Sequence, residues 1–215
     1  MTRRKSSGQH LSSKPSKGAA KNTGAGGELR IIGGDWRSRK LRFPDAGGVR
    51  PTPARTRETL FNWLSLHIAG SDCLDLFAGS GALGLEALSR GAGQATLVDN
   101  NTALAAALRG NLKLLGSEAG TVICANVDTY LSQRSRHPFD IIFMDPPFHQ
   151  GWLTTLIPLL NTQGWVKPGG WVYVEHESDL PSPAAPANWQ LHRQKTAGQV
   201  TYCLYRVVQA AGRSE

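Results

Sequence analysis

The 215-residue chain has no apolar run of membrane-spanning length and only three cysteines. The first absence points to a soluble protein. The cysteines are far apart, odd in number and without CxxC spacing, which argues against disulfide or metal-binding roles. Cys73, Cys124 and Cys203 each lie in an apolar, strand-like stretch, where a free cysteine serves as a small core residue, so a reducing cytoplasm is expected. His10, His67, His137, His176 and His192 show no metal-ligand spacing, and no metal is expected. Residues 1–27 lack both the apolar core of a signal peptide and the apolar face of a transit peptide. Ser, Lys, Gly and Ala dominate there, which predicts a disordered basic tail.

Acid is scarce at one end only. Residues 1–50 hold 12 Lys+Arg and 3 Asp+Glu, a net of +9, while residues 51–215 hold 12 and 13, a net of −1; the two sum to the +8 of the whole chain. Such a block ahead of a near-neutral body points to a polyanionic partner, nucleic acid first. Its ordered part is predicted at residues 28–50. Two β-like runs, Leu29–Ile32 and Lys40–Phe43, flank Gly33-Gly34-Asp35-Trp36-Arg37-Ser38-Arg39, the pattern of a small basic hairpin. Arg37, Arg39 and Lys40 are its candidate RNA phosphate contacts. Trp36 either stacks on a base or props the turn as its core residue.

Pro51-Thr52-Pro53 breaks the chain, and residues 51–215 read as one domain. Ala54–Ile68 is a predicted helix with Leu60, Phe61, Leu64 and Ile68 on one face. Strands and helices then alternate. Predicted strands are Cys73–Phe77, Ala95–Asp99, Val122–Cys124, Asp140–Met144 and Trp171–Glu175. Predicted helices are Ala82–Arg90, Ala103–Leu115, a short one at Thr129–Gln133, and Trp152–Asn161, with Pro158 a possible kink. Trp189–Arg193 and Gln199–Val207 form a closing antiparallel hairpin. Apolar runs such as Ile141-Ile142-Phe143-Met144 suit a sheet covered on both faces. The fold expected is α/β, a doubly wound, mostly parallel seven-stranded sheet. Ligands of such sheets collect beyond the carboxyl ends of the strands.

The motifs fall there. The first strand runs into Asp75-Leu76-Phe77-Ala78-Gly79-Ser80-Gly81-Ala82-Leu83-Gly84, where glycines let a ligand approach the backbone. Asp99, at the end of the next strand, can accept both hydroxyls of a ribose. Gly79 to Gly84 also satisfies G-x-G-x-x-G, so a nicotinamide dinucleotide is the competing ligand. Asp75 opposes it, since a carboxylate repels a pyrophosphate and attracts the cationic methionine group of S-adenosylmethionine. Asn126 and Asp128 follow the third strand. Either can meet an adenine amino group; Asn126 is preferred, and Asp128 can instead cap a helix.

The fourth strand delivers Asp145-Pro146-Pro147-Phe148. A nucleobase amino nitrogen is a poor nucleophile because its lone pair is delocalised into the ring. Asp145 and the Pro146 carbonyl can accept its two N–H hydrogens and localise that pair. Successive prolines fix the backbone and withhold N–H groups. Phe148 can stack on an unstacked base. His149 follows with no orienting partner among its neighbours in sequence and reads as a surface residue.

With these residues in place the chain resembles the RsmD family, the bacterial 16S rRNA guanine-N2 methyltransferases, from Arg30 to Arg206. The glycine loop and Asp-Pro-Pro-Phe belong to many methyltransferases. Arg30 to Leu41, Arg50-Pro51-Thr52-Pro53, Arg57 to Leu64 and Lys195-Thr196-Ala197-Gly198-Gln199-Val200 are more particular. The resemblance implies a class I, Rossmann-like methyltransferase fold and S-adenosylmethionine as donor. It also implies a guanine of the small ribosomal subunit, or of its assembly intermediate, as acceptor. It favours Asn126 for the adenine. Where the family tends to have Glu-x-Asp after the second strand, this chain has Asp99-Asn100-Asn101, so Asp99 can serve the ribose while position 101 departs. A monomer is expected. The chemistry alone leaves adenine N6, cytosine N4 and protein glutamine as acceptors, and a non-catalytic RNA-binding assembly factor as a further alternative. The basic hairpin argues against a protein acceptor.

Overall fold

Residues 26–46 and 51–208 are described by the computed structural model; most of the predicted tail, residues 1–25, lies outside them. Alternating apolar and charged residues give β1 (Gly27–Arg30) and β2 (Lys40–Phe43) one face to bury. They pair antiparallel with Leu29 opposite Leu41, both buried. β1 lies two residues earlier than the pattern suggested. The N–H groups of Ile32 and Gly33 go to the Glu86 carboxylate, at 2.9 and 2.8 Å, and so leave the ladder.

α1 (Ala54–Trp63) is followed by β3 (Asp72–Asp75), α2 (Gly84–Ser89), β4 (Gln94–Asp99), α3 (Thr102–Leu115) and β5 (Gly120–Cys124). Then come α4 (Val127–Leu131), β6 (Phe139–Met144), α5 (Trp152–Thr162), β7 (Val166–Glu177), β8 (Trp189–Ala197) and β9 (Val200–Val207). The strands form one seven-stranded sheet in the order β5-β4-β3-β6-β7-β9-β8. The pairs from β5 to β7 are parallel, and β9 runs antiparallel to both β7 and β8. This is the class I methyltransferase fold. Strand order reverses between β3 and β6, and a crevice opens at such a switch point.

The hairpin, α1, α2 and α3 share one apolar layer with the sheet face bearing Cys73, Ile141, Phe143 and Tyr173. α4 and α5 cover the other face, where Leu74, Ile142 and Met144 point. At Gly34 the hairpin touches α2 so closely that a Cβ would lie 1.6 Å from the Ser89 carbonyl oxygen, and its φ is +73°.

Several boundaries differ from the sequence reading. α1 ends at Trp63, with Leu64 and Ile68 buried in turns beyond it. α2 starts at Gly84 because the Gly84 N–H is taken by Asp75. α4 begins two residues early, at Val127, and α5 runs on through Pro158. β7 starts at Val166, crossing a register shift opposite Phe139 to Ile141. Cys73 and Cys203 are buried, but Cys124 is exposed, because it closes an edge strand with no neighbour beyond it. No helix among the described residues is long and apolar enough to cross a membrane.

Candidate active site

Three strand ends converge on one cleft of about 620 Å³. Asp75 closes β3 and is buried; its Oδ2 accepts the Gly84 N–H at 2.9 Å, fixing the start of α2 against the strand end. Burial pushes its carboxyl up to about 7. The charges of Asp145 and Asp99 add to the rise, and the Gly84 and Phe77 N–H groups oppose it.

Asp99 closes β4 and ties two loops together. Its Oδ2 accepts the Gly79 N–H and its Oδ1 the Asn101 N–H, both at 2.8 Å. Asn101, the departure from the family pattern, caps α3 by accepting from the N–H groups of Ala103 and Leu104. Asn126 stands just before α4 and accepts from Asn100 Nδ2 at 3.2 Å. Asp128 is exposed and bonds its own neighbour, the Thr129 N–H, at 2.7 Å. The helix-capping position belongs to Asn126.

β6 delivers Asp145, half-buried and open on its cleft side, with Pro146 buried, Pro147 exposed and Phe148 half-buried. The Thr52 hydroxyl donates to Asp145 Oδ2 at 3.1 Å. Burial raises the Asp145 carboxyl, and that hydroxyl draws it back. On β7, the Tyr173 hydroxyl donates to Glu175 Oε1 at 2.7 Å. Burial, then the charge of Asp145, holds Glu175 well above the usual carboxylate range. His149 has a partner after all: its N–H donates to the Glu177 carboxylate, and its Nδ1 lies 3.7 Å from the same group. The partner comes from β7, 28 positions on, beyond the reach of neighbours in sequence.

Of the cofactor residues expected, Asp75, Phe77, Ala78, Gly79, Asp99 and Asn126 line the cleft, as do all four residues of the 145–148 loop. Gly81 and Asp128 do not. Gly81 has φ +84°, and a Cβ there would strike Leu85 and Leu108 within the core. The four hairpin residues lie away from the cleft. Trp36 is half-buried and packs against the core, while Arg37 is exposed. Arg39 donates to the Leu114 carbonyl at 3.2 Å, and Lys40 pairs with Glu28 at 2.9 Å. The sequence reading missed Thr52, Gln150 and Trp152, which also line the cleft, with Trp152 edge-on to Phe77 at 5.8 Å. Pro51-Thr52-Pro53 was visible as a chain break; nothing local told that its middle hydroxyl meets Asp145.

The family model described as "Conserved hypothetical protein 95" matches residues 29–206, from β1 to β9. An Escherichia coli protein named "Ribosomal RNA small subunit methyltransferase D" is 49% identical over 194 residues, 90% of this chain and 97% of its own. The chain belongs to the RsmD family. A Haemophilus influenzae relative of the same name is 46% identical over 185 residues, covering 85% of this chain and 95% of its own. The solved structure of the Escherichia coli protein yhhF superposes with a TM-score of 0.81 at 47% identity. It covers 86% of this chain and 100% of its own.

Proposed function

We propose that this chain methylates 16S rRNA, transferring a methyl group from S-adenosylmethionine to the exocyclic N2 of a guanine. One observation carries the reading. The carboxylates closing β3 and β4 open on the same cleft as Asp145-Pro146-Pro147-Phe148, which supports a donor site and an amino-group acceptor site in one space. The names of the relatives support ribosomal RNA as the substrate class, and guanine N2 rests on the family resemblance.

The residues present fit S-adenosylmethionine better than a dinucleotide. The Gly84 and Gly79 N–H groups, which would face a pyrophosphate, are already held by Asp75 and Asp99. Asp75 is a desolvated carboxyl beside the cleft, suited to a cationic amino-acid group. Asp99 presents its remaining lone pairs to ribose hydroxyls, and Asn126 borders the space for the adenine. When bound, the cofactor supplies an electrophilic sulfonium methyl.

The chain's own residues prepare the nucleophile. With Asp145 Oδ2 bonded to Thr52, Asp145 Oδ1 is left to accept one amino N–H, and the Pro146 carbonyl accepts the other. Their pull favours a tetrahedral nitrogen with a localised lone pair. Phe148 stacks on the base, and the proline pair holds both acceptors in place, so positioning supplies much of the rate. The proton leaves once the C–N bond has formed. Arg37, Arg39 and Lys40 hold phosphates at the hairpin, while Trp36 props it from within. The test is tritium transfer from labelled S-adenosylmethionine to small subunits of an unmethylated strain, with the product nucleoside identified. N2-methylguanosine is expected; N6-methyladenosine, N4-methylcytidine or no transfer would overturn the proposal.

A further inference from the structure

We infer that Thr52 is a positioning residue for Asp145, its hydroxyl fixing one carboxylate oxygen so that the other faces the acceptor nitrogen. The inference rests on the reading of Asp145 as the group that accepts the amino N–H. Thr52 belongs to neither strand-end motif. It lies between the hairpin and α1, 93 positions before Asp145, yet its hydroxyl reaches Oδ2 at 3.1 Å and the residue is only 6% exposed.

Everything around that hydroxyl restrains it. Pro53 forces the residue before it into extended backbone, and Pro51 fixes its own φ. The Thr52 carbonyl receives Arg57 Nε at 3.1 Å, and Arg57 is itself held by the Arg30 carbonyl and the Glu86 carboxylate at 2.9 and 3.1 Å. A β-branched side chain has few χ1 choices. Across the cleft wall, Asp145 is followed by two prolines. Two stiff segments therefore meet through one hydrogen bond, which disfavours rotation of the carboxylate about its last torsion.

The chemistry suits a hydroxyl. A lysine or arginine there would satisfy the anion too well and compete with the substrate. A neutral donor favours the ionised form while leaving its second oxygen in demand. The titratable groups near Asp145 are Asp75 from β3 and Tyr173 and Glu175 from β7, and none supplies a positive charge. Among the described residues Thr52 is the hydrogen-bond donor to the Asp145 side chain.

The experiment is single-turnover methyl transfer to small subunits from pH 6 to 9, with wild type, Thr52→Val, Thr52→Ser and Asp145→Ala. Cofactor affinity is measured alongside. Valine keeps the shape of threonine and the backbone bond to Arg57, so the fold and cofactor affinity should hold. Thr52→Val is expected to lower the rate at pH 7 by roughly tenfold to a hundredfold, the worth of a hydrogen bond to a charged group. The deficit narrows as pH rises and Asp145 regains its charge. Thr52→Ser recovers most of the rate. A Thr52→Val enzyme with wild-type rate and pH profile, beside an inactive Asp145→Ala, overturns the role of Thr52 and leaves that of Asp145 intact. An equal, pH-independent deficit in the valine and serine variants marks mere packing and also overturns it. Wild-type transfer by Asp145→Ala removes the reading of Asp145 and this inference together.

Discussion

Arg57 Nη1 and Glu86 Oε2 form an ion pair at 3.1 Å with both side chains almost wholly buried. Glu86 also accepts from Arg90 Nε at 2.8 Å and from the N–H groups of Ile32 and Gly33. One carboxylate on α2 thereby anchors α1, its own helix and the exit of the first hairpin strand. Glu86→Gln leaves the Arg57 charge buried without its counter-ion, a loss of about 3–5 kcal/mol for such pairs. Chemical denaturation should show that loss, and hydrogen exchange should accelerate at Ile32 and Gly33. A change below about 1 kcal/mol, within the range of an exposed pair, would mean that the pair is dispensable.

Asp99 serves two masters, a proposed ribose and the Gly79 and Asn101 N–H groups. Asp99→Ala should weaken S-adenosylmethionine binding by about 1.5–3 kcal/mol. Calorimetry on the folded variant measures this directly, and unchanged affinity would remove Asp99 from the cofactor site.

The Asp75 carboxyl titrates near 7 in the folded chain, against 3.8 unfolded. A raised acid contributes stability below the unfolded value and loses it as pH climbs through the folded value, because the folded protein then holds a proton that the unfolded chain has released. Asp75→Asn should therefore raise the melting temperature of the ligand-free protein more at pH 8 than at pH 5. Binding a cation should favour the ionised form, so S-adenosylmethionine binding near pH 6.5 should release a proton. Calorimetry in two buffers of different ionisation enthalpy detects that proton, and Asp75→Asn should abolish it. Equal heats in the two buffers would show that no cation sits against Asp75.

Within the hairpin the three cations are not equivalent. Lys40 is engaged by Glu28 and Arg39 by the Leu114 carbonyl, whereas the Arg37 side chain has no partner among the described residues. Removing a cation that holds one phosphate should flatten the log-affinity against log-salt slope for RNA by about 0.7 if the strand is single there. Arg37→Ala should show the largest single change, with cofactor affinity unchanged. A slope that ignores all three alanine substitutions would place the RNA elsewhere.

The fold was legible where chemistry is local. Apolar runs such as Ile141–Met144 announced buried strands, and the glycine loop and Asp-Pro-Pro-Phe announced two strand ends. What stayed hidden joins distant positions. The Thr52 hydroxyl and Asp145 are 93 residues apart, and Glu86 reads as an ordinary helix acid until Arg57 and the hairpin arrive against it. His149 has no visible partner because Glu177 comes from β7. Periodicity marks which residues are buried, and it is silent on which polar groups find one another.

The docking of the hairpin on α2 through Glu86, Ser89 and the close approach at Gly34 turns the molecule into a caliper. On the proposed reading one jaw is the Arg37 side of the hairpin and the other is Asp145, and the hairpin cannot leave α2 without breaking these contacts. An RNA that touches both jaws has to present a phosphate and its target base at one separation and in one orientation. A flexible strand would have to be ordered to meet that demand, at an entropic cost that an already folded RNA does not bear. Under the proposed function, selection in such a device falls on the shape of the substrate before the identity of the letters beside its target.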